Sequence, residues 1–487
     1  MQNLNAFDID PDEFRALAHH TVDWIADYLR DIRHYPVASK IEPGALIHAL
    51  PESAPELPES MYKILADFES QIIPAITHWN HPRFHAYFSV SASAPGILAE
   101  MLTAALNVNG MLWKSCPAAT ELEQVTLDWL RQWIGLPPED HWFGIIYDTA
   151  SISTMHAIAA AREQSDPATR LEGGSKNLTV YFSEQAHSSV EKSAISIGIG
   201  QQNTRKIGLD QQFRMRPDLL EEAIERDLKA GKKPICIVAA IGTTATTSVD
   251  PVNLIADIAE RYNTWLHVDA AYAGPAAIVP ELRHHFEGWN RADSIVLNPH
   301  KWLATPIDCS VLYTRKPEIL KRAFSLIPDY LKTQEDSQVV NYMDYGVQLG
   351  RRFRSLKLWF VMRAFGREGL AAMIREHVRL AQQFAAWVEQ DPRFEVSSPV
   401  PFSLVNFRLK STDAANIELM NRVNESGIAF LSPVVLRGQT CLRVAIGDIK
   451  TTEADLKATW QGILSVVAQP AAERDKLFGA ASTTIDA

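Results

Sequence analysis

An acid and an amine stand where two apolar strands run out. The first strand closes Leu266-His267-Val268-Asp269 and is followed by the small residues Ala270 and Ala271; the second runs into Asn298-Pro299-His300-Lys301-Trp302-Leu303. A lysine desolvated by apolar neighbours gives up its proton more readily and becomes a nucleophile toward a carbonyl. A carboxylate at the same sheet edge can keep a ring nitrogen protonated, so that the ring accepts electrons. Pyridoxal phosphate needs both services, an amine to hold its aldehyde and an acid for its pyridine nitrogen. The plainer readings are a solvated surface lysine and a strand-end acid; their pairing at two strand ends favours the chemical one.

Other residues fit around that pair. Asp148-Thr149-Ala150-Ser151 lies between an apolar strand and a helix. Small residues there let backbone N–H groups approach a phosphate, and the helix dipole favours the anion; the bland alternative is an ordinary Ser/Thr N-cap. Asn298 and His300, beside the lysine, can add hydrogen bonds to the same phosphate. His187, in Glu184-Gln185-Ala186-His187-Ser188-Ser189, offers a flat imidazole able to stack on a cofactor ring, or else a capping histidine. Thr244, in Gly242-Thr243-Thr244-Ala245-Thr246-Thr247, is either turn chemistry or a further cofactor contact.

These residues need a scaffold that brings strand ends together. Strands are expected at Phe143–Tyr147, Leu178–Phe182, Ile235–Ile241, Trp265–Val268, Ser294–Leu297 and Ser310–Tyr313, with helices at Ser153–Arg162, Ser188–Ile195, Pro217–Lys229 and Leu254–Arg261. Such alternation gives an α/β fold with a mostly parallel central sheet covered by helices, and ligands there sit beyond the strands' carboxyl ends. Residues 1–92 read as a helical N-terminal segment, starting near Asp10-Pro11, with too little bulk to stand alone. Residues 93–365 form the large α/β domain. Residues 366–487 read as a small α+β C-terminal domain, with short strands near Phe394–Val396, Val405–Leu409 and Leu442–Ala445.

At 487 residues, 46% hydrophobic and 22% charged, the chain is an ordinary globular protein with a large core. A net charge of −11 without a basic face argues against nucleic acid as a partner. Asp8, Asp10, Asp12 and Glu13 precede the first basic residue, Arg15, which speaks against an export signal, and no apolar run is long enough to span a membrane. Cys116, Cys236, Cys309 and Cys441 follow no metal-ligand spacing and read as reduced thiols of a cytoplasmic protein.

Read together, the segments resemble the group II pyridoxal-phosphate decarboxylases, specifically the aromatic-L-amino-acid decarboxylase family. The resemblance rests on His81-Pro82 with Tyr87-Phe88, on Pro117-Ala118 with Thr120-Glu121-Leu122-Glu123, and on Gln185 through Lys192. It continues in His267-Val268-Asp269-Ala270-Ala271-Tyr272, Asn298-Pro299-His300-Lys301-Trp302 and Leu349-Gly350-Arg351-Arg352-Phe353. It implies a fold-type I enzyme with pyridoxal 5'-phosphate as cofactor, an N-terminal segment wrapping the partner of a homodimer, and decarboxylation of an aromatic L-amino acid to an arylalkylamine. By the same resemblance Lys301 binds the cofactor aldehyde, Asp269 the pyridine nitrogen, and His187 stacks over the ring. Ala150, Ser151, Asn298 and His300 match phosphate positions, and Thr244 a further cofactor contact. Tyr330, in a catalytic loop at about 326–341, matches a tyrosine that helps to protonate Cα.

Relatives that instead use oxygen and release an aldehyde commonly replace the residue matching His187 or Tyr330; both are kept here, which favours the amine product. Trp79, Tyr87, Phe88 and Trp113 are candidates for an aromatic pocket. Val90 stands where animal relatives carry a hydroxyl. Gly350 matches a position where plant relatives carry Gly for indole substrates and Ser for phenols.

Overall fold

The computed structural model describes residues 8–174, 177–326 and 338–468. Seven strands form the central sheet: β1 (Phe143–Tyr147), β2 (Leu178–Ser183), β3 (Thr204–Ile207), β4 (Lys233–Ala240), β5 (Trp265–Asp269), β6 (Ser294–Leu297) and β7 (Ser310–Thr314). Their order is β1-β7-β6-β5-β4-β2-β3. The pairs from β3 to β6 are parallel, whereas β7 runs antiparallel to both β6 and β1. Two antiparallel steps leave β1 pointing the same way as β6. The strands that precede the candidate site therefore all end at one edge.

Burial explains why these segments read so clearly. β2 is buried along its whole length and β4 everywhere but at Lys233, as expected for parallel strands covered on both faces. The helix Ala150–Ser165 packs Ala157, Ile158, Ala160 and Ala161 against one side of the sheet. The other side is covered by the helices Pro117–Ile134, Pro217–Lys229 and Val252–Arg261. The mostly parallel sheet expected from the alternation is present.

A second, antiparallel sheet has the order β10-β11-β9-β8, built from β8 (Phe394–Val396), β9 (Leu404–Leu409), β10 (Ser432–Leu436) and β11 (Gln439–Ala445). It packs against the helix Asp413–Ser426 and the far half of the long helix Arg354–Gln390. Gly366, at φ 62°, interrupts that long helix with a non-helical turn, a conformation glycine reaches without a Cβ penalty. The N-terminal helix Pro11–Asp31 starts at Asp10, whose carboxylate accepts the Asp12 N–H at 2.9 Å. Among the described residues no helix is long and apolar enough to cross a membrane.

Candidate active site

The parallel strands deliver their loops to one cavity of about 820 Å³, a size suited to a small-molecule site. Asp269 closes β5, and its Oδ1 accepts the Ala271 N–H at 3.0 Å, which fixes the carboxylate at the cavity floor. Lys301 follows β6 on a short turn, Pro299–Trp302, anchored where Asn298 N–H donates to Ala271 O at 3.0 Å. Burial pushes the Lys301 pKa down, opposed by Asp269 and reinforced by Arg443. The amine is thus poised to lose its proton, with its acidic neighbour close enough to act on it.

Another part of the cavity is built on a helix N-terminus. The helix Ala150–Ser165 begins with Thr149 in extended conformation and no side-chain cap. The first N–H groups of a helix have no partner within it, and the residues Ala150 and Ser151 border the cavity. His300 Nδ1 accepts the Cys309 N–H at 2.9 Å, and burial first, then Lys301, lowers its pKa to about 4. A neutral ring whose Nδ1 accepts must carry its proton on Nε2, so the exchangeable donor is free to serve an anion. The Asn298 side-chain oxygen is buried with no hydrogen-bond partner among the described residues, and a half-turn of the amide would present its NH2 instead. These groups suit a phosphate monoester, and Lys301 with Asp269 suits the aldehyde and the ring nitrogen of pyridoxal phosphate.

His187 stands over the same cavity. Its Nδ1 accepts the Ser189 N–H at 3.2 Å and pairs with Ser189 Oγ at 2.8 Å. Burial lowers its pKa, so the imidazole is neutral with its proton on Nε2. Thr244 borders the cavity through a turn that only glycine can start: Gly242 has φ +85°, and a Cβ there would lie 2.6 Å from Ala273 Cβ. Trp79, Tyr87, Phe88 and Val90 line another part of the wall, with Trp79 and Tyr87 stacked at 5.6 Å.

Trp113 and Gly350 do not join this cavity within the chain. They lie in two segments that meet elsewhere, where Trp113 N–H donates to Asn341 Oδ1 at 3.0 Å and Gly110 N–H to Arg351 O at 2.8 Å. Tyr330 lies outside the described residues. The sequence reading overlooked Arg443, on β11, which is buried and lines the cavity. Its Nη2 donates to Thr244 O at 2.7 Å and Tyr87 O at 3.3 Å, and burial lowers its pKa to about 10. Among the described residues no carboxylate pairs with it. The signal was a lone arginine in the apolar run Cys441-Leu442-Arg443-Val444-Ala445, where an uncompensated charge is costly.

This sheet, with a lysine, an acid and an open helix N-terminus at one edge, defines a fold-type I pyridoxal-phosphate enzyme. The profile described as "Pyridoxal-dependent decarboxylase conserved domain" matches residues 43–410, and the chain belongs to that family. It is 41% identical to a phenylacetaldehyde synthase of Arabidopsis thaliana, over 93% of this chain and 95% of that one. It is equally 41% identical to a tryptophan decarboxylase of Camptotheca acuminata, over 93% and 94%. The crystal structure of Oryza sativa TDC with PLP and tryptamine superposes with a TM-score of 0.92 at 36% identity, covering 94% of this chain and 99% of that one.

Proposed function

We propose that the protein decarboxylates aromatic L-amino acids of the tryptophan, phenylalanine, tyrosine or dopa type, releasing carbon dioxide and the arylalkylamine. The observation that carries this reading is the single cavity joining Lys301 and Asp269, the Ala150–Ser151 helix start and the aromatic plates Trp79 and Tyr87. When bound, pyridoxal phosphate supplies an aldehyde for the substrate amine and a ring that draws off the electrons left by carbon dioxide. Lys301, with its lowered pKa, offers the neutral amine that holds and releases the aldehyde. Asp269 keeps the ring nitrogen protonated. The Ala150 and Ser151 N–H groups, His300 and Asn298 hold the phosphate, Thr244 adds a contact, and neutral His187 covers the ring. Arg443, a buried cation without an acidic partner among the described residues, is placed to hold a substrate carboxylate.

Tyr330 supplies the proton that Cα takes up after carbon dioxide leaves, in this proposal. Replacing Tyr330 by phenylalanine is expected to raise the aldehyde-to-amine ratio several-fold, read by mass spectrometry of the products; an unchanged ratio removes Tyr330 from that role. The second reading is an aromatic aldehyde synthase, favoured by the 41% identity to the Arabidopsis enzyme. It takes up oxygen and water and yields aldehyde, carbon dioxide, ammonia and hydrogen peroxide. Incubating the protein with pyridoxal phosphate and tryptophan, phenylalanine, tyrosine, dopa or glutamate, with peroxide followed in parallel, separates the two. Amine without peroxide is the expected outcome; aldehyde with stoichiometric peroxide selects the second reading, and turnover of glutamate alone sinks both.

A cytoplasmic homodimer belongs to the same proposal, as does the division into residues 1–92, 93–365 and 366–487. Supporting it, the helix Ala94–Leu106 leaves Leu98, Met101, Leu102 and Leu106 exposed in one molecule, an apolar face that calls for a cover. The two segments carrying Trp113 and Gly350 join a substrate pocket only if the second copy presents them there.

A further inference from the structure

A buried polar chain leads away from the residue after Lys301. Trp302 is 1% exposed, and its Nε1–H donates to His377 Nδ1 at 3.0 Å. His377, on the long helix Arg354–Gln390, donates in turn from Nε2 to the Asp448 carbonyl at 3.1 Å. An indole N–H can only donate, so both bonds require one tautomer, with the His377 proton on Nε2. Burial lowers its pKa to about 4 and keeps the ring neutral. The Asp448 carboxylate accepts from Ser91 Oγ at 2.9 Å and from Lys450 N–H at 2.8 Å. Ser91 sits between Val90 and Ala92, both on the cavity wall. The chain thus runs from the lysine's neighbour, through the long helix and the C-terminal sheet's exit, back to the cavity.

Trp302 also ends a column of three rings. Tyr272 stacks on it at 4.7 Å and 11°, and Phe88 stacks on Tyr272 at 3.9 Å and 15°. Phe88 borders the cavity, and Lys301 Nζ lies 5.5 Å from its centroid. Lys301 and Trp302 share one short turn, so the packing that holds the indole also holds the backbone that carries the amine.

We propose that His377 is a positioning residue: by fixing the Trp302 indole it holds the Phe88–Tyr272–Trp302 column under Lys301 and keeps the amine packed and dry. This rests on the reading of Lys301 as the lysine that couples to the cofactor. His377 borders no part of the cavity, and the route proposed for it runs through Trp302, its bond to the Asp448 carbonyl being kept in His377→Gln. The groups acting on the amine are Asp269 from β5, Arg443 from β11, and His300 and His187, both neutral. Burial is the largest of the effects, Arg443 acts with it and Asp269 against it, so a loosened column that lets water reach Lys301 raises its pKa.

The test uses the full-length protein freed of cofactor, to which pyridoxal phosphate is added across a pH series. Coupling to the lysine is followed by visible absorbance. Only the neutral amine couples, so the midpoint of rate against pH reports on Lys301. His377→Gln keeps a donor for the Asp448 carbonyl and withdraws the acceptor from Trp302. His377→Asn does the reverse, placing an amide oxygen where Nδ1 stood. Trp302→Phe removes the N–H and keeps a ring in the column. His377→Gln and Trp302→Phe are each expected to raise the midpoint by about one pH unit, about tenfold slower coupling below it. The double variant moves no further, as residues in one linkage are not additive, and His377→Asn stays near the parent.

An unmoved midpoint in His377→Gln, additive shifts in the double variant, or equal shifts in His377→Asn and His377→Gln each overturn the positioning role. If the His377 variants fail to fold, Trp302→Phe decides alone: no shift there overturns it as well. Lys301→Ala serves as the control. Coupling that survives this change refutes the reading of Lys301 itself, whereas its loss, with no shift in the other variants, refutes only His377.

Discussion

With Lys301 replaced by alanine, the protein is expected to release no measurable arylalkylamine, and borohydride no longer fixes cofactor to the chain. The fall in turnover is at least about a thousandfold, the scale on which removal of a covalent catalytic residue acts. The fold survives, because the Pro299–Trp302 turn is held by main-chain bonds, Lys301 N–H to Asn298 O at 2.9 Å and Asn298 N–H to Ala271 O at 3.0 Å. Removing an amine whose burial already disfavours its charge costs the native state little. Product analysis and intact mass after borohydride read the result together. Turnover within tenfold of the parent would remove Lys301 from the chemistry.

Asp269→Asn separates charge from shape. Asparagine keeps the oxygen that accepts the Ala271 N–H, so thermal stability is expected to stay near the parent. What goes is the negative charge that holds a proton on the ring nitrogen. The turnover number is expected to fall by about a hundredfold to ten-thousandfold, the range over which a positioned acid or base acts, with a much smaller change in KM. Because Asp269 raises the Lys301 pKa against the dominant effect of burial, its neutralisation also moves the pH midpoint of cofactor coupling downward. A turnover number within threefold of the parent, or an upward midpoint, would contradict the assignment.

The half of the cavity that holds Lys301 and Asp269 was readable because parallel strands write themselves as apolar runs and these two residues stand where those runs end. Phe143–Tyr147 and Ser294–Leu297 were legible residue for residue. The strand Thr204–Ile207 was not: it is a sheet edge, and Thr204, Arg205 and Lys206 carry no apolar pattern. β10, with Pro433 and a largely uncovered face, hid for the same reason. The helix Asp413–Ser426 was passed over because its buried residues are few, Asn416, Leu419 and Val423. Lys301 and Asp269 announced themselves by their neighbours, whereas Arg443 and His377 depend on contacts across the chain: Arg443 meets Thr244 and Tyr87, and His377 meets Trp302. Spacing along a sequence carries no trace of such meetings. For Trp113 and Gly350 the sequence named the residues but not where they stand, since nothing local says that their two segments pack away from this cavity.

The cavity takes its walls from nearly the whole length of the chain, from His78 and Trp79 through Asp269 and Lys301 to Arg443. A ribosome adding about 5–20 residues per second has made every strand of the central sheet well before it makes Gln439–Ala445. Until that last strand pairs, the Thr244 and Tyr87 carbonyls have no guanidinium to join them. A growing chain therefore presents Lys301 beside a wall that stays open on the side of Arg443 until the C-terminal sheet is in place.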